Sequence, residues 1–176
     1  DTILRVLSRL VQEGKILRIQ NSIYYKPEFN RFLKGRPVPP DVNEVIKVIS
    51  NRNKETLQIH GSSAVNKLGL STQVPLTKVF YTNGPSREVI IAGTRVKFIH
   101  TENQNILQAS GTEVGMALSA LIFLGREHVD QEVVRQVKSR LSENHFKRLK
   151  RMQMSSWLKE RLSDPAVKES SYALAG

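Results

Sequence analysis

The chain has 176 residues, with 27 Lys and Arg against 16 Asp and Glu, and its formal net charge of +11 suits a polyanion or an acidic protein as partner without choosing between them. It contains no Cys, which excludes a disulfide framework and a thiolate metal site. The longest apolar run, Ala117 to Leu124, is broken by Ser119 and far too short to cross a bilayer, so a cytoplasmic protein with no membrane role is expected.

Residues 2–12 read as a short amphipathic helix. Ile3, Leu4, Leu7, Leu10 and Val11 recur at helical spacing, with Thr2, Arg5, Ser8, Arg9 and Gln12 on the other side. Asp1 and Thr2 suit its cap and first turn, and Gly14 is placed to stop it. Ile16 to Ile19 and Ile23 to Tyr25 have the composition of two short strands about a polar turn at Gln20 to Ser22. Helix, Gly and hairpin together are the rear half of a winged helix-turn-helix. That motif needs helices ahead of the reading helix, so at least two are expected upstream of Asp1.

On this reading Thr2, Arg5, Arg9 and Gln12 face a DNA major groove, since Arg can fork to guanine and Gln can pair with adenine. Lys15, Arg18, Asn21, Ser22 and Lys26 would hold the backbone from the wing, adding affinity that depends on salt but not on sequence. The competing reading is an ordinary solvated helix face and a hairpin decorated for solubility. Glu13 opposes phosphate contact unless Arg9 or Lys15 occupies it. Residues 1–36 carry eight cations against three acids, consistent with a local positive surface.

Residues 35–41, with Gly35, Pro37, Pro39 and Pro40, read as a linker between a domain at 1–34 and a mixed domain at 42–164, with 165–176 as a tail. Pro40 and Asp41 introduce a helix whose stripe is Val42, Val45, Ile46 and Ile49, ending near Asn51 to Asn53. In GSSAVNKLGLSTQVP (residues 61–75), Ser62 or Ser63 caps a short helix that Gly69 closes. The other reading makes Ser62, Ser63, Asn66 and Lys67 part of a partner-binding edge. Strands are expected at Thr77 to Tyr81, Arg87 to Ile91 and Thr94 to Ile99, paired antiparallel as a meander because their connections are short. Helices are expected over Thr112 to Leu124, Asp130 to Leu141, Glu143 to Met154 and Ser156 to Leu162. The fold class is α+β: a partial N-terminal winged helix-turn-helix joined to a mixed domain with a small antiparallel sheet and a helical C-terminal region.

No catalytic constellation emerges. His60, His100, His128 and His145 stand 17 to 40 residues apart without a helical pair of ligands, and GSS is not a nucleophile elbow. Gly111, Gly115 and Gly125 form no phosphate loop. An enzyme, a metal site and a cofactor are therefore not expected. Lys138, Lys147, Arg148, Lys150 and Arg151, with Trp157 beside them, form a second basic block. It reads as a charged helix surface, a further DNA contact or a dock for an acidic partner, with Trp157 as core anchor or interface hot spot.

The run RVLSRLVQEGKILRIQNSIYYKP, then GSSAVNKLGLSTQVP, then REVIIAGTRVKFI, resembles bacterial proteins of the AbiEi-like antitoxin group, over roughly residues 2 to 100. The resemblance implies a winged-helix autorepressor of a type IV toxin-antitoxin operon used in phage defence. It also implies the protein's own promoter as double-stranded DNA partner and a nucleotidyltransferase-like toxin as the protein counteracted. Winged-helix repressors commonly need two reading heads for a palindromic site, so a homodimer is one assembly this reading allows, and the sequence does not choose it. The alternative class is a non-enzymatic interaction scaffold built on a degenerate winged helix.

Overall fold

The computed structural model describes residues 2–20 and 22–164. Asp1, Asn21 and the tail at 165–176 lie outside the described residues, and with them the proposed Asp1 cap and the Asn21 contact. The fold is α+β, with two compact units: residues 1–54 with 89–95, and residues 55–88 with 96 onward.

In the first unit, α1 spans Thr2–Gln12. Gly14 ends it at φ 68°, its N–H bonded to the Val11 carbonyl at 3.0 Å while the Lys15 N–H reaches Leu10 at 2.9 Å. This paired closure satisfies the last carbonyls and needs the left-handed conformation Gly adopts without strain. β1 (Leu17–Gln20) and β2 (Ile23–Tyr25) then pair antiparallel, with an irregularity between Arg18 and Gln20. Ile23 is buried under the hairpin.

The expected linker is structured. Asn30 caps a 3-10 turn at Arg31–Leu33, Phe29 bridges Pro37, and the Val38 N–H reaches the Glu28 carbonyl at 2.7 Å. The segment thus closes on itself as a loop. α2 (Val42–Asn53) follows, its first turn capped by the Asp41 carboxylate at 2.7 and 3.0 Å from the Asn43 and Glu44 N–H groups. It buries Val45, Ile46 and Ile49, the predicted stripe without Val42. The first compact unit accordingly runs to Lys54 and does not stop at residues 35–41.

The second unit opens with β3 (Leu57–Ile59), which alternation alone misses because the buried residue is the polar one, Gln58. α3 (Gly61–Lys67) is capped by His60, not by Ser62 or Ser63. Gly69 closes it at φ 72°, as expected. β4 (Lys78–Thr82), β5 (Arg87–Ile91) and β6 (Thr94–His100) do occur, with residues 89–95 counted in the first unit, but they are not a meander. The sheet order is β3-β4-β6-β5, with β3 and β4 antiparallel and β4 and β6 parallel, Lys78 opposite Val96 and Thr82 opposite His100.

Chain length does not forbid this order. Residues 83–86 can reach roughly 13 Å, more than the two strand spacings of about 4.8 Å that must be crossed. The crossing is fixed at the end of β6, where the His100 N–H donates to Ser86 Oγ at 2.8 Å and His100 Nδ1 lies 2.9 Å from the Gly84 carbonyl. Arg87 joins Glu55 through two bonds of 2.9 and 2.6 Å, and its guanidinium lies 4.3 Å from the centre of the Phe98 ring.

Four helices complete the unit: α4 (Glu113–His128), α5 (Gln131–Arg140), α6 (Glu143–Lys150) and α7 (Ser156–Ser163). Gly125 interrupts α4 at φ 73° where termination was expected, and the last turn resumes beyond it. Thr112, Asp130 and Ser142 cap α4, α5 and α6 through their side chains. The core they enclose includes Val114, Leu118, Leu121, Leu149 and Leu158. Ser119, the interruption in the apolar run, is buried and donates to the Ile59 carbonyl at 2.7 Å, tying α4 to the edge strand β3. Gly115 lies so close to the Ala109 carbonyl and the Gln58 amide that no Cβ fits.

Candidate nucleic-acid interface

α1 is amphipathic by sequence, yet it buries no residue. Ile3 is 75% exposed and Leu4 64%, so the face expected to pack is open in this unit, and Leu7, Leu10 and Val11 are half-buried. Thr2, Arg5, Arg9 and Gln12 are exposed on the polar side. The Schellman-type closure at Gly14 turns the chain directly into the hairpin, where Lys15, Arg18, Ser22 and Lys26 are exposed as well. Ser22 takes φ 61° at the hairpin turn. Among the described residues, every side chain assigned to DNA contact is therefore reachable from solvent.

The acid that could oppose phosphates is engaged locally. Glu13 lies 2.7 Å from Lys15 Nζ and 3.8 Å from Arg9 Nε. Both cations remain about two-thirds exposed, at 67% and 68%. Exposed pairs of this kind are worth at most about 1 kcal/mol, so phosphates can displace Glu13 at small cost.

The second basic block lies on α5, on α6 and at the residue just after α6. Lys147 is paired with Glu143 at 2.8 Å, and that bond holds the Glu143 carboxyl below its ordinary range. Lys150 lies over the Phe146 ring at 5.6 Å, Lys138 is half-buried, and Arg148 and Arg151 are exposed. Trp157 lies on α7. It packs against the core and lines a shallow recess of about 190 Å³ with Arg126, Glu160, Arg161 and Asp164. α7 presents Trp157 at this recess, beside Arg126 near the end of α4.

Around α3 the geometry is structural. The Ser62 N–H donates to His60 Nδ1 at 3.3 Å and Ser62 Oγ lies 2.9 Å from the same nitrogen, while Asn66 Nδ2 donates to the Ser71 carbonyl at 3.2 Å. His60 packs against the rings of Tyr81 and Phe123 at 4.7 and 5.4 Å. Burial pushes the His60 imidazole below its ordinary value and the Tyr81 phenol above its own. The depressed value means that the folded state resists protonation, so His60 contributes stability fully above about pH 6.5, and this is lost as pH falls through the folded value. Protonation would also remove the acceptor that caps α3. Urea midpoints should drop between about pH 7.5 and about pH 5.5, and His60→Asn, which still caps but does not titrate, should show the smaller drop. Equal drops would refute this role.

Sequence reasoning missed the loop at 28–38, which it divided between the domain at 1–34 and the linker at 35–41. Phe29 and Phe32 are 64% and 79% exposed there, and Arg31, Lys34 and Arg36 alternate with them. The signal was present in FNRFLKGR, an interleaving of aromatic and basic residues.

These elements define a small α+β protein with a basic helix-and-hairpin surface at its N-terminal end. Residues 1–149 match a family model described as a family of unknown function (DUF6088), and the chain belongs to that family. No curated protein and no solved structure matches it.

Proposed function

We propose that the first unit binds double-stranded DNA and that the protein represses its own promoter. The observation that carries this reading is the joint exposure of Arg5, Arg9 and Gln12 on α1 and of Lys15, Arg18 and Lys26 on the adjoining hairpin, with Glu13 already neutralised by two of them. α1 supplies base readout and the hairpin supplies backbone contact. The sequence resemblance to AbiEi-like antitoxins supports a second activity, counteracting a nucleotidyltransferase-like toxin in a type IV phage-defence system. Residues 42–164 are the segment proposed for it, through the basic residues of α5 and α6 or Trp157.

Competition binding on promoter and random duplex tests the DNA reading. Arg5→Ala or Arg9→Ala should reduce the preference for promoter, whereas Lys15→Ala should weaken binding to both and lower the salt slope by about one. Equal affinity of the intact protein for promoter and random DNA would reject specific repression.

A second reading has its own observation. The exposed Ile3 and Leu4 on a helix with no fully buried residue favour an interaction scaffold, in which α1 docks another protein or a second copy. Ile3→Ser with Leu4→Ser separates the two. Promoter binding by the monomeric variant equal to that of the parent chain would favour DNA readout by the polar face alone.

A further inference from the structure

We propose that the closed loop at residues 28–38 is a stacking platform for single-stranded nucleic acid. This goes beyond duplex recognition and does not depend on it. Two aromatic rings, Phe29 and Phe32, stand largely in solvent at 64% and 79% exposure. Free energy favours burying such rings, so two of them held outward on one short loop need a reason. The loop is not a slack connector. The Phe29 bridge to Pro37, the Val38-to-Glu28 bond and the Asn30 cap on the 3-10 turn fix its backbone. Lys34 and Gly35 turn it back through left-handed conformations at φ 49° and 79°.

Charge complementarity selects the occupant. Arg31, Lys34 and Arg36 are exposed on the loop and Lys26 just before it, against Glu28 alone. Cations that alternate with aromatic rings match a strand whose phosphates alternate with flat bases, and every base offers a π face, so recognition is tolerant of sequence. The Arg31 guanidinium already lies 5.4 Å from the centre of the Phe32 ring. That pairing extends a stack of bases, whereas insertion of Phe32 among lipid chains would carry the guanidinium into hydrocarbon or strip it away. Paired bases in an intact duplex keep their faces covered by neighbouring bases, which is why a single strand fits better.

The test uses the full chain and fluorescent oligothymidylate of about 15 nucleotides, which has no secondary structure. A chain this basic attracts any polyanion, so the reading depends on the π faces and is made at raised salt, where phosphate contacts weaken and stacking persists. Phe29→Leu with Phe32→Leu keeps apolar bulk and should cost about tenfold or more in single-strand affinity, with duplex affinity unchanged within about twofold. Phe29→Ala with Phe32→Ala should do the same. Arg5→Ala with Arg9→Ala should weaken promoter binding and leave oligothymidylate binding intact, so the two readings fail separately. Unchanged melting temperature checks folding. Should a double variant melt early, Phe32→Trp serves instead, its added emission expected to be quenched by oligothymidylate beyond the change seen with Trp157 alone. Three results would overturn the proposal: oligothymidylate binding by the leucine variant equal to the parent, quenching of Phe32→Trp no greater than that of the parent chain, or binding to phosphatidylserine vesicles that the leucine variant retains and the alanine variant loses. The last would assign the loop to a membrane surface.

Discussion

Gly61→Val is expected to cost about 3 kcal/mol, the upper part of the range for forcing atoms into a filled site. A Cβ at Gly61 would run into Phe123 Cβ and Cγ and the Ser119 carbonyl. Two of these atoms cannot step aside, since one is helix backbone and the other is the root of a side chain. Replacing Gly inside a helix gains up to about 1 kcal/mol in propensity, so the clash outweighs it. In a chain of this size the loss should lower the melting temperature by roughly 6 to 12 °C. Phe123→Ala in the same chain removes Cγ but leaves the Ser119 carbonyl, and should rescue only part of the loss. A melting temperature for Gly61→Val equal to the parent's would show that α3 and α4 do not approach as described.

Arg87→Met is the other substitution with a large expected effect, about 3 to 5 kcal/mol, because it leaves a buried carboxylate without its guanidinium. The Glu55 side chain is only 7% exposed and meets Arg87 through both oxygens. Gly84 backs the same carboxylate so closely that a Cβ there would clash with it. The pair joins Glu55, two residues before β3, to the start of β5, on either side of the crossing that places β6 inside the sheet. Exchanging both partners for apolar residues, Glu55→Leu with Arg87→Met, should recover most of the stability, as apolar replacement of a buried pair often does. Urea unfolding of the two single variants and the double variant measures this. A double variant as weak as Arg87→Met alone would mean that the loss comes from the Arg87 contact with Phe98 and not from the stranded carboxylate.

The exposed apolar face of α1 has a bearing on function as well as on stability. A helix that buries none of its side chains draws little from tertiary packing, and isolated helices of this length are marginal in water. The polar face proposed to read DNA is therefore mounted on an element whose order depends on what covers Ile3 and Leu4.

Much of the local structure was legible. The Gly14 and Gly69 closures, the Asp41 cap, the β1–β2 hairpin and the starts of α4, α5 and α6 follow from signals within a few residues of each element. The proposed DNA-contact residues could be listed for the same reason, since helical periodicity assigns faces without knowledge of the partner. What periodicity cannot show is whether an apolar face is covered, and α1 is the example. The loop at 28–38 was misjudged because Gly and Pro report only that regular structure ends, and the closure that orients Phe29 and Phe32 is made by pairing Phe29 with Pro37 across the loop.

By itself the sequence determined the helix faces, most of the caps and stops, the hairpin turn and the basic character of residues 1–36. Only the tertiary structure decided that β6 enters between β4 and β5, that His60 caps α3, that Gln58 points inward, and that Trp157 lines a recess with Arg126. The division has one physical cause. Caps and helix faces are set by dihedral preferences and hydrogen bonds between near neighbours, which the order of residues encodes directly. Strand order and the burial of a polar side chain depend on which distant groups compete for the same donors, acceptors and space, and a four-residue connection such as 83–86 permits more than one answer until Glu55, Arg87 and His100 select it.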